Sequence, residues 1–170
     1  VAVEQVDGYE ADDVIATIAK RHAADRDCVI YTADKDMCQC VCDAVTLVTN
    51  RDGKIYDVAG VMEKFGVPPS RMVDYLAIMG DASDNVPGVA KLGEVAARDA
   101  VNASEDDDDM LRKAGDGELD GLALSKQRIL WDQKAKFVLS QLLITVKTDV
   151  KLELGIEQMK SPFCIRPWGF

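Results

Sequence analysis

At 170 residues with 48% hydrophobic content, the chain has the length of one domain able to bury a substantial core. No apolar run approaches the roughly 18 residues that a membrane span requires, and no basic-then-apolar leader opens the chain, so no membrane partner and a cytoplasmic setting are expected. The formal net charge of −10, from 20 basic and 30 acidic residues, argues against a sequence-wide electrostatic grip on nucleic acid.

In chain order, Ala11, Val14, Ile15, Ile18 and Ala19 recur at helical spacing and predict an amphipathic helix over 10–22, with Lys20 and Arg21 where cations suit the dipole and His22 on its surface. In that helix Glu10 and Asp13 share a face of the first turn, and Asp12 points elsewhere. The β-branched run 28–32 predicts a buried strand, and Asp34 and Asp36 follow at its C-terminal end, where open parallel α/β sheets bind ligands. A short helix over 36–42, with Cys38 and Cys42 on one face as small apolar residues, leads to a strand at 45–49, a turn at 50–53 and a hairpin strand at 54–58.

A helix at 59–65 ends at Gly66-Val67-Pro68-Pro69, and Ser70 starts the next, through Met79, with Met72 and Met79 on its apolar face. Helices are predicted at 93–102, 119–130 and 131–146; the acidic run 104–109 is expected as a solvated loop, and the tail around Pro162 and Pro167 as extended. The five cysteines contain no CxxC pair and His22 is the lone histidine, so the spacing of a zinc site is absent and a reduced compartment is expected.

Three acidic clusters stand beside predicted element boundaries: Glu10, Asp12 and Asp13; Asp34 and Asp36; Asp81 and Asp84. Singly, each is explained by capping, by the helix dipole or by loop solvation. Brought together they repel, and a fold that converges them needs a hard cation with oxygen ligands, Mg²⁺ or Mn²⁺; metal-assisted phosphoester hydrolysis is the chemistry such a site suits. Lys35 is expected to balance local negative charge rather than to act as an acid.

The ordered motifs Gly8 to Asp13, Thr32 to Asp36 with Gln39 following, Asp81-Ala82-Ser83-Asp84-Asn85-Val86-Pro87-Gly88-Val89, Lys147-Thr148-Asp149 and Leu152-Glu153 resemble the 5′ nucleases, the family of the 5′-3′ exonuclease domain of bacterial DNA polymerase I and the flap endonucleases. The resemblance spans about residues 6–154. It implies an α/β fold: a PIN-like parallel-sheet nuclease core over 1–79, lacking its N-terminal part, then an all-α helix-hairpin-helix-type DNA-binding region over 80–154 and a tail over 155–170. It also implies two or more Mg²⁺ (or Mn²⁺) ions held by Glu10, Asp12, Asp13, Asp34, Asp36, Asp81 and Asp84, of which Asp34, Asp36, Asp81 and Asp84 carry the catalysis.

Gly88, Lys91, Gly93 and Arg98 would contact DNA at a hairpin that also takes K⁺, and the substrate would be DNA with 5′ ends, flaps or branched duplex, in replication and repair. An attached polymerase domain is a further implication. The family's first strand, its ligands and its basic arch have no counterpart after Val1, so these residues alone are expected to cleave weakly or not at all. The hairpin departs from the family pattern where Val95, Ala96, Ala97 and Asp99 replace basic and hydroxyl residues. Two other readings compete with this one. A noncatalytic branched-DNA-binding module fits the weakened hairpin; a Mg-dependent aspartyl phosphatase using Asp34 is opposed by Cys38, which stands where that motif needs Thr or Val.

Overall fold

Two short apolar strands, Cys28–Tyr31 (β1) and Val45–Val48 (β2), pair in parallel, and a two-residue strand, Ile55–Tyr56 (β3), returns antiparallel on β2, giving the order β1-β2-β3. The structure is a computed structural model and describes residues 2–153 with Gly155 and Gln158; the expected tail at Pro162 and Pro167 lies outside the described residues. The pleat sends Ile30, Val45 and Leu47 into the core, while Val29 and Tyr31 are each 68% exposed, so β1 is apolar throughout but buried on one face only. The β2–β3 turn forms where expected, with Gly53 at φ 68, a conformation that suits glycine.

Helix α1 (Ala11–His22) covers the sheet with Val14, Ala16, Thr17 and Ala19. Between β1 and β2 the expected helix is a 3-10 turn, Lys35–Cys40, because the Asp34 side chain accepts from the Asp36 amide at 2.9 Å and tightens the chain into i→i+3 bonding. Val41 is already extended and Cys42 bridges to Val45, so Cys42 is exposed while Cys38 is buried; they share no helical face. Helix α2 (Val58–Phe65), capped by Asp57, ends at Gly66 in the left-handed conformation. Rings then connect sheet to helices, with Tyr56–Phe65 centroids at 6.4 Å and Phe65–Tyr75 at 6.0 Å.

A 3-10 turn at Pro69–Arg71 precedes α3 (Met72–Met79), whose Met72, Tyr75, Leu76, Ala77 and Ile78 are buried; a helix apolar nearly all round is central. Around it lie α4 (Glu94–Asn102), α5 (Asp107–Asp116), α6 (Leu124–Asp132) and α7 (Lys134–Ile144), with α7 setting Phe137, Ser140 and Ile144 against α3. The acidic run expected as a loop instead starts α5: Asp106 caps the Asp109 amide, and Asp107, Asp108 and Asp109 sit at the positive end of the dipole. Helix α6 starts five residues later than expected because Leu119 and Leu122 form a buried turn whose backbone is held by Gln127. No helix among the described residues is long and apolar enough to cross a membrane. The fold is thus a small α/β layer with a mixed rather than purely parallel sheet, followed by an all-helical region.

Candidate functional site

The C-terminal end of β1 runs into Asp34, and the start of α1 and the turn after α3 come up beside it. Residues from all three acidic clusters face one another there. Asp12 is half-buried, and its carboxyl is raised above the ordinary range by that burial first and by the Asp34 carboxylate beside it second. Asp36 is pushed up to about 6, again by burial first and then by Asp34, with Asp81 and Asp84 adding to the shift and Lys35 opposing it. The 3-10 turn therefore stands between the other two clusters.

The convergence has limits. Among the described residues, no three Asp, Glu, His or Cys side chains are gathered closely enough to close round a single ion. Glu10 is the residue before α1, in extended conformation and exposed, and so does not share a helix face with Asp13. Asp13 gives one carboxylate oxygen to the Lys147 amide at 2.7 Å, while Asp12, expected to point elsewhere, is the residue that meets Asp34. Asp84 is exposed in the turn 81–86, which a backbone bridge between Asp81 and Val86 closes.

The third cluster is joined to the second by Lys35, whose ammonium lies 2.5 Å from Asp81 Oδ2. The other oxygen of Asp81 accepts from the Ser83 amide at 2.9 Å and from the Ser83 hydroxyl. Lys35 first, and Ser83 after it, hold the Asp81 carboxyl well below the ordinary range. Charge balance by Lys35, expected from the sequence, thus takes the form of a bond to a cluster 46 residues away.

Several positioning residues make contacts that the sequence does not show, although Gln39, Lys147 and Thr148 stand in its recognisable motifs. Gln39 donates to the Asp36 and Ile144 carbonyls at 2.9 and 3.0 Å and accepts from the Val146 amide at 3.1 Å, pinning the 3-10 turn to the end of α7. Thr17 accepts from the Val150 amide at 3.2 Å and donates to the Lys147 carbonyl, and Lys20 donates to Thr148. Segment 144–150 is therefore a strap across both α1 and the 3-10 turn, fixing the two elements that carry the first and second acidic clusters. Its partners are more than 100 residues apart in sequence, which is why no local pattern announces them.

The donor set suits a hard cation, since it consists of carboxylate oxygens. The neighbouring thiols do not compete: burial first and nearby negative charge second push Cys38 up to about 12 and Cys40 up to about 11, keeping both protonated.

After α3 the chain folds back on itself where Gly80 and Gly88 touch. A Cβ on either would stand 2.8 to 2.9 Å from the other's backbone. Gly88, at φ 61, is buried and its amide donates to Ser140 Oγ at 3.0 Å, so that amide is not offered to a ligand. Ala90 exchanges two bonds with Gln133. Of the residues predicted to meet DNA, Lys91 (φ 71) and Gly93 are exposed, and Gly93 precedes α4 with no side-chain cap. Arg98 lies half-buried against Gly66 and 3.9 Å from Asp99. The hairpin thus exposes one cation and one uncapped helix start.

A family model described as 5′-3′ exonuclease, N-terminal resolvase-like domain, matches residues 1–66, and one described as 5′-3′ exonuclease, C-terminal SAM fold, matches residues 67–163. DNA polymerase I of Pseudomonas aeruginosa is 41% identical over 169 residues, covering 91% of this chain and 17% of the polymerase. The 5′-3′ exonuclease of Aquifex aeolicus is 34% identical over 159 residues, covering 92% of this chain and 52% of that protein. Among solved structures, the bacteriophage T5 flap endonuclease in a complex with DNA and metal ions matches with a TM-score of 0.71 at 21% identity, over 82% of this chain and 50% of that one. The chain spans about half the length of the exonuclease relative and a much smaller share of the polymerase.

Proposed function

Because the chain belongs to the 5′-3′ exonuclease family, we propose that it carries most of the metal-binding half of a nuclease that hydrolyses DNA phosphodiester bonds at 5′ ends, flaps or branched duplex. The observation that carries this reading is Asp36. It is half-buried, flanked by Asp34, Asp81 and Asp84, and no side chain or amide donates to its carboxylate among the described residues. The Lys35 ammonium relieves such a carboxylate only in part, being bonded to Asp81, and a divalent metal would supply the further positive charge.

Asp12 and Asp34 on one side and Asp36, Asp81 and Asp84 on the other would hold Mg²⁺ or Mn²⁺, two or more ions in all, with Glu10 and the remaining oxygen of Asp13 at the rim. When bound, such ions acidify an attacking water and neutralise charge at the leaving oxygen. The protein's own part is to fix positions: Gln39 and the strap hold the second cluster against the first, and the Ser83 turn orients Asp81. Lys91 and the amides that start α4 after Gly93 bind duplex phosphate, with K⁺ at the same hairpin; Arg98 must leave Gly66 to join them. An attached polymerase domain belongs to the same reading and is supported by the polymerase relative; a cytoplasmic setting goes with it.

The absence of any three gathered carboxylates favours a second reading, a module that binds branched DNA without cutting it. Calorimetric titration of Mn²⁺ into the chain and into the double variant Asp34→Ala, Asp81→Ala separates the two. Mn²⁺ binding that the double variant loses supports the nuclease, with any EDTA-sensitive cleavage of a 5′-flap duplex by these residues alone expected to be weak. A folded chain that binds flap DNA but takes up no Mn²⁺ sinks it in favour of the module.

A further inference from the structure

We propose that the Lys35 ammonium is an exchangeable counter-cation of the acidic site: it holds Asp81 in the metal-free protein and yields Asp81 to a divalent ion, an inference that rests on the metal-dependent reading above. Lys35 lies in sequence between two acidic residues, Asp34 and Asp36. Its Nζ reaches across to Asp81 Oδ2 at 2.5 Å, bonding the turn after β1 to the turn after α3.

The two oxygens of Asp81 are held differently. Oδ1 accepts from the amide and hydroxyl of Ser83, two residues on, a local arrangement that costs little to keep. Oδ2 is held by the end of a four-carbon chain whose side chain is 48% exposed. An incoming ion that needs Asp81 therefore meets one oxygen locked in a turn and one held by a mobile, half-hydrated ammonium. The second is the one it can displace, since exposed lysine pairs are weak and a divalent ion draws carboxylate oxygen more strongly than a monovalent one.

Charge gives the exchange its direction. The Lys35 ammonium stands in sequence between Asp34 and Asp36 and is bonded to Asp81, so one cation serves several carboxylates. Lys35 thereby lets the clusters approach one another without metal, and a divalent ion at the same place brings more positive charge to the same carboxylates. Lys35 is a positioning residue here, and its bond to Asp81 competes with the metal.

The test uses the ammonium itself as the readout. In ¹H–¹⁵N spectra of lysine side chains, Lys35 Nζ of the wild-type chain in chelator is expected to be slowed in hydrogen exchange by its bond to Asp81. It should revert to free-lysine behaviour as Mg²⁺ is added, in step with Mg²⁺ uptake measured by calorimetry. In Asp81→Asn the free signal is expected from the start. Lys35→Met should bind Mn²⁺ about threefold to tenfold more tightly than wild type, with the gain shrinking as salt is raised.

A Lys35 signal that stays bonded at saturating Mg²⁺ overturns the proposal and leaves metal binding intact. So does Mn²⁺ affinity that is unchanged or weaker in a folded Lys35→Met. A chain that is folded by circular dichroism yet takes up no Mn²⁺ overturns both this inference and the function it rests on. The wild-type spectra need no variant, so misfolding of Lys35→Met would not spare the proposal.

Discussion

Asp74 and Asp36 are both withdrawn from water to some degree, and they are treated in opposite ways. Asp74 on α3 is buried and fully provided for: Arg71 Nε donates at 2.6 Å and Gln141 Nε2 at 2.8 Å, and Arg71 goes on to the Ser104 carbonyl and hydroxyl. Asp36 in the 3-10 turn is half-buried and receives no donor among the described residues, where it has three acidic neighbours and a lysine turned toward one of them. The same side chain is structural where the fold brings it donors, and cation-seeking where the fold brings it carboxylates. The sequence motif alone does not make that distinction; the partners do.

The largest effects should fall on the provided-for side. Asp74→Ala leaves the Arg71 guanidinium and Gln141 amide short of their acceptor in a mostly buried place, and a loss of about 3 kcal/mol is expected in urea unfolding. Asp36→Ala, which removes a repelled charge, is expected to cost less than about 1 kcal/mol in chelator while weakening Mn²⁺ binding. Equal destabilisation by the two would erase the contrast.

Next in size is Gly88→Ala. Its Cβ would stand 2.8 Å from Gly80 backbone at φ 61, so about 2 kcal/mol should be lost, by backbone collision rather than charge. Gln39→Leu should cost a similar ~2 kcal/mol by stranding two carbonyls and an amide, and it should also weaken Mn²⁺ binding because the turn bearing Asp34 and Asp36 is released from the strap. A Gln39→Leu protein that loses stability but keeps wild-type Mn²⁺ affinity would show the strap to be structural only.

The contrast also explains which parts of the molecule were legible in the sequence. Periodicity found α1, β1, β2, α2 and the α3 core because each is longer than a turn and presents one apolar face or run. It misread 36–42 because an Asp34 cap, not hydrophobic spacing, decides the 3-10 form there. It took 104–109 for a loop because acidic residues solvate loops and also open helices, and only the Asp106 cap separates the two outcomes. The acidic motifs of the site were visible because each is contiguous. Their wiring was not: Gln39 to Ile144, Asp13 to Lys147 and Lys35 to Asp81 are set by tertiary contact, and the orientation of Asp12 follows from where α1 crosses β1.

The smallest effect is a pH dependence, and its sign separates Asp36 from Asp81. Asp36 has a folded value near 6 against an ordinary 3.8, so its folded form binds the proton more tightly than the unfolded chain does. Such a group contributes stability fully below the unfolded value and loses it as pH rises through about 6. Asp81 runs the other way, depressed by Lys35; its contribution is present above the ordinary carboxylate value and falls away only in stronger acid. Between pH 5 and 7.5, in chelator, the group that changes is therefore Asp36. Because it is half-buried, water screens part of the shift, leaving about 1 kcal/mol and a Tm change of about 2–4 °C for a chain of this size. Relative to wild type, Asp36→Asn is expected to gain that Tm at pH 7.5 and to show a smaller gain at pH 5, which lies between the unfolded and folded values. A Tm difference between the two proteins that is flat across this range would mean that Asp36 is not held in the repulsive setting that makes it a metal-seeking carboxylate.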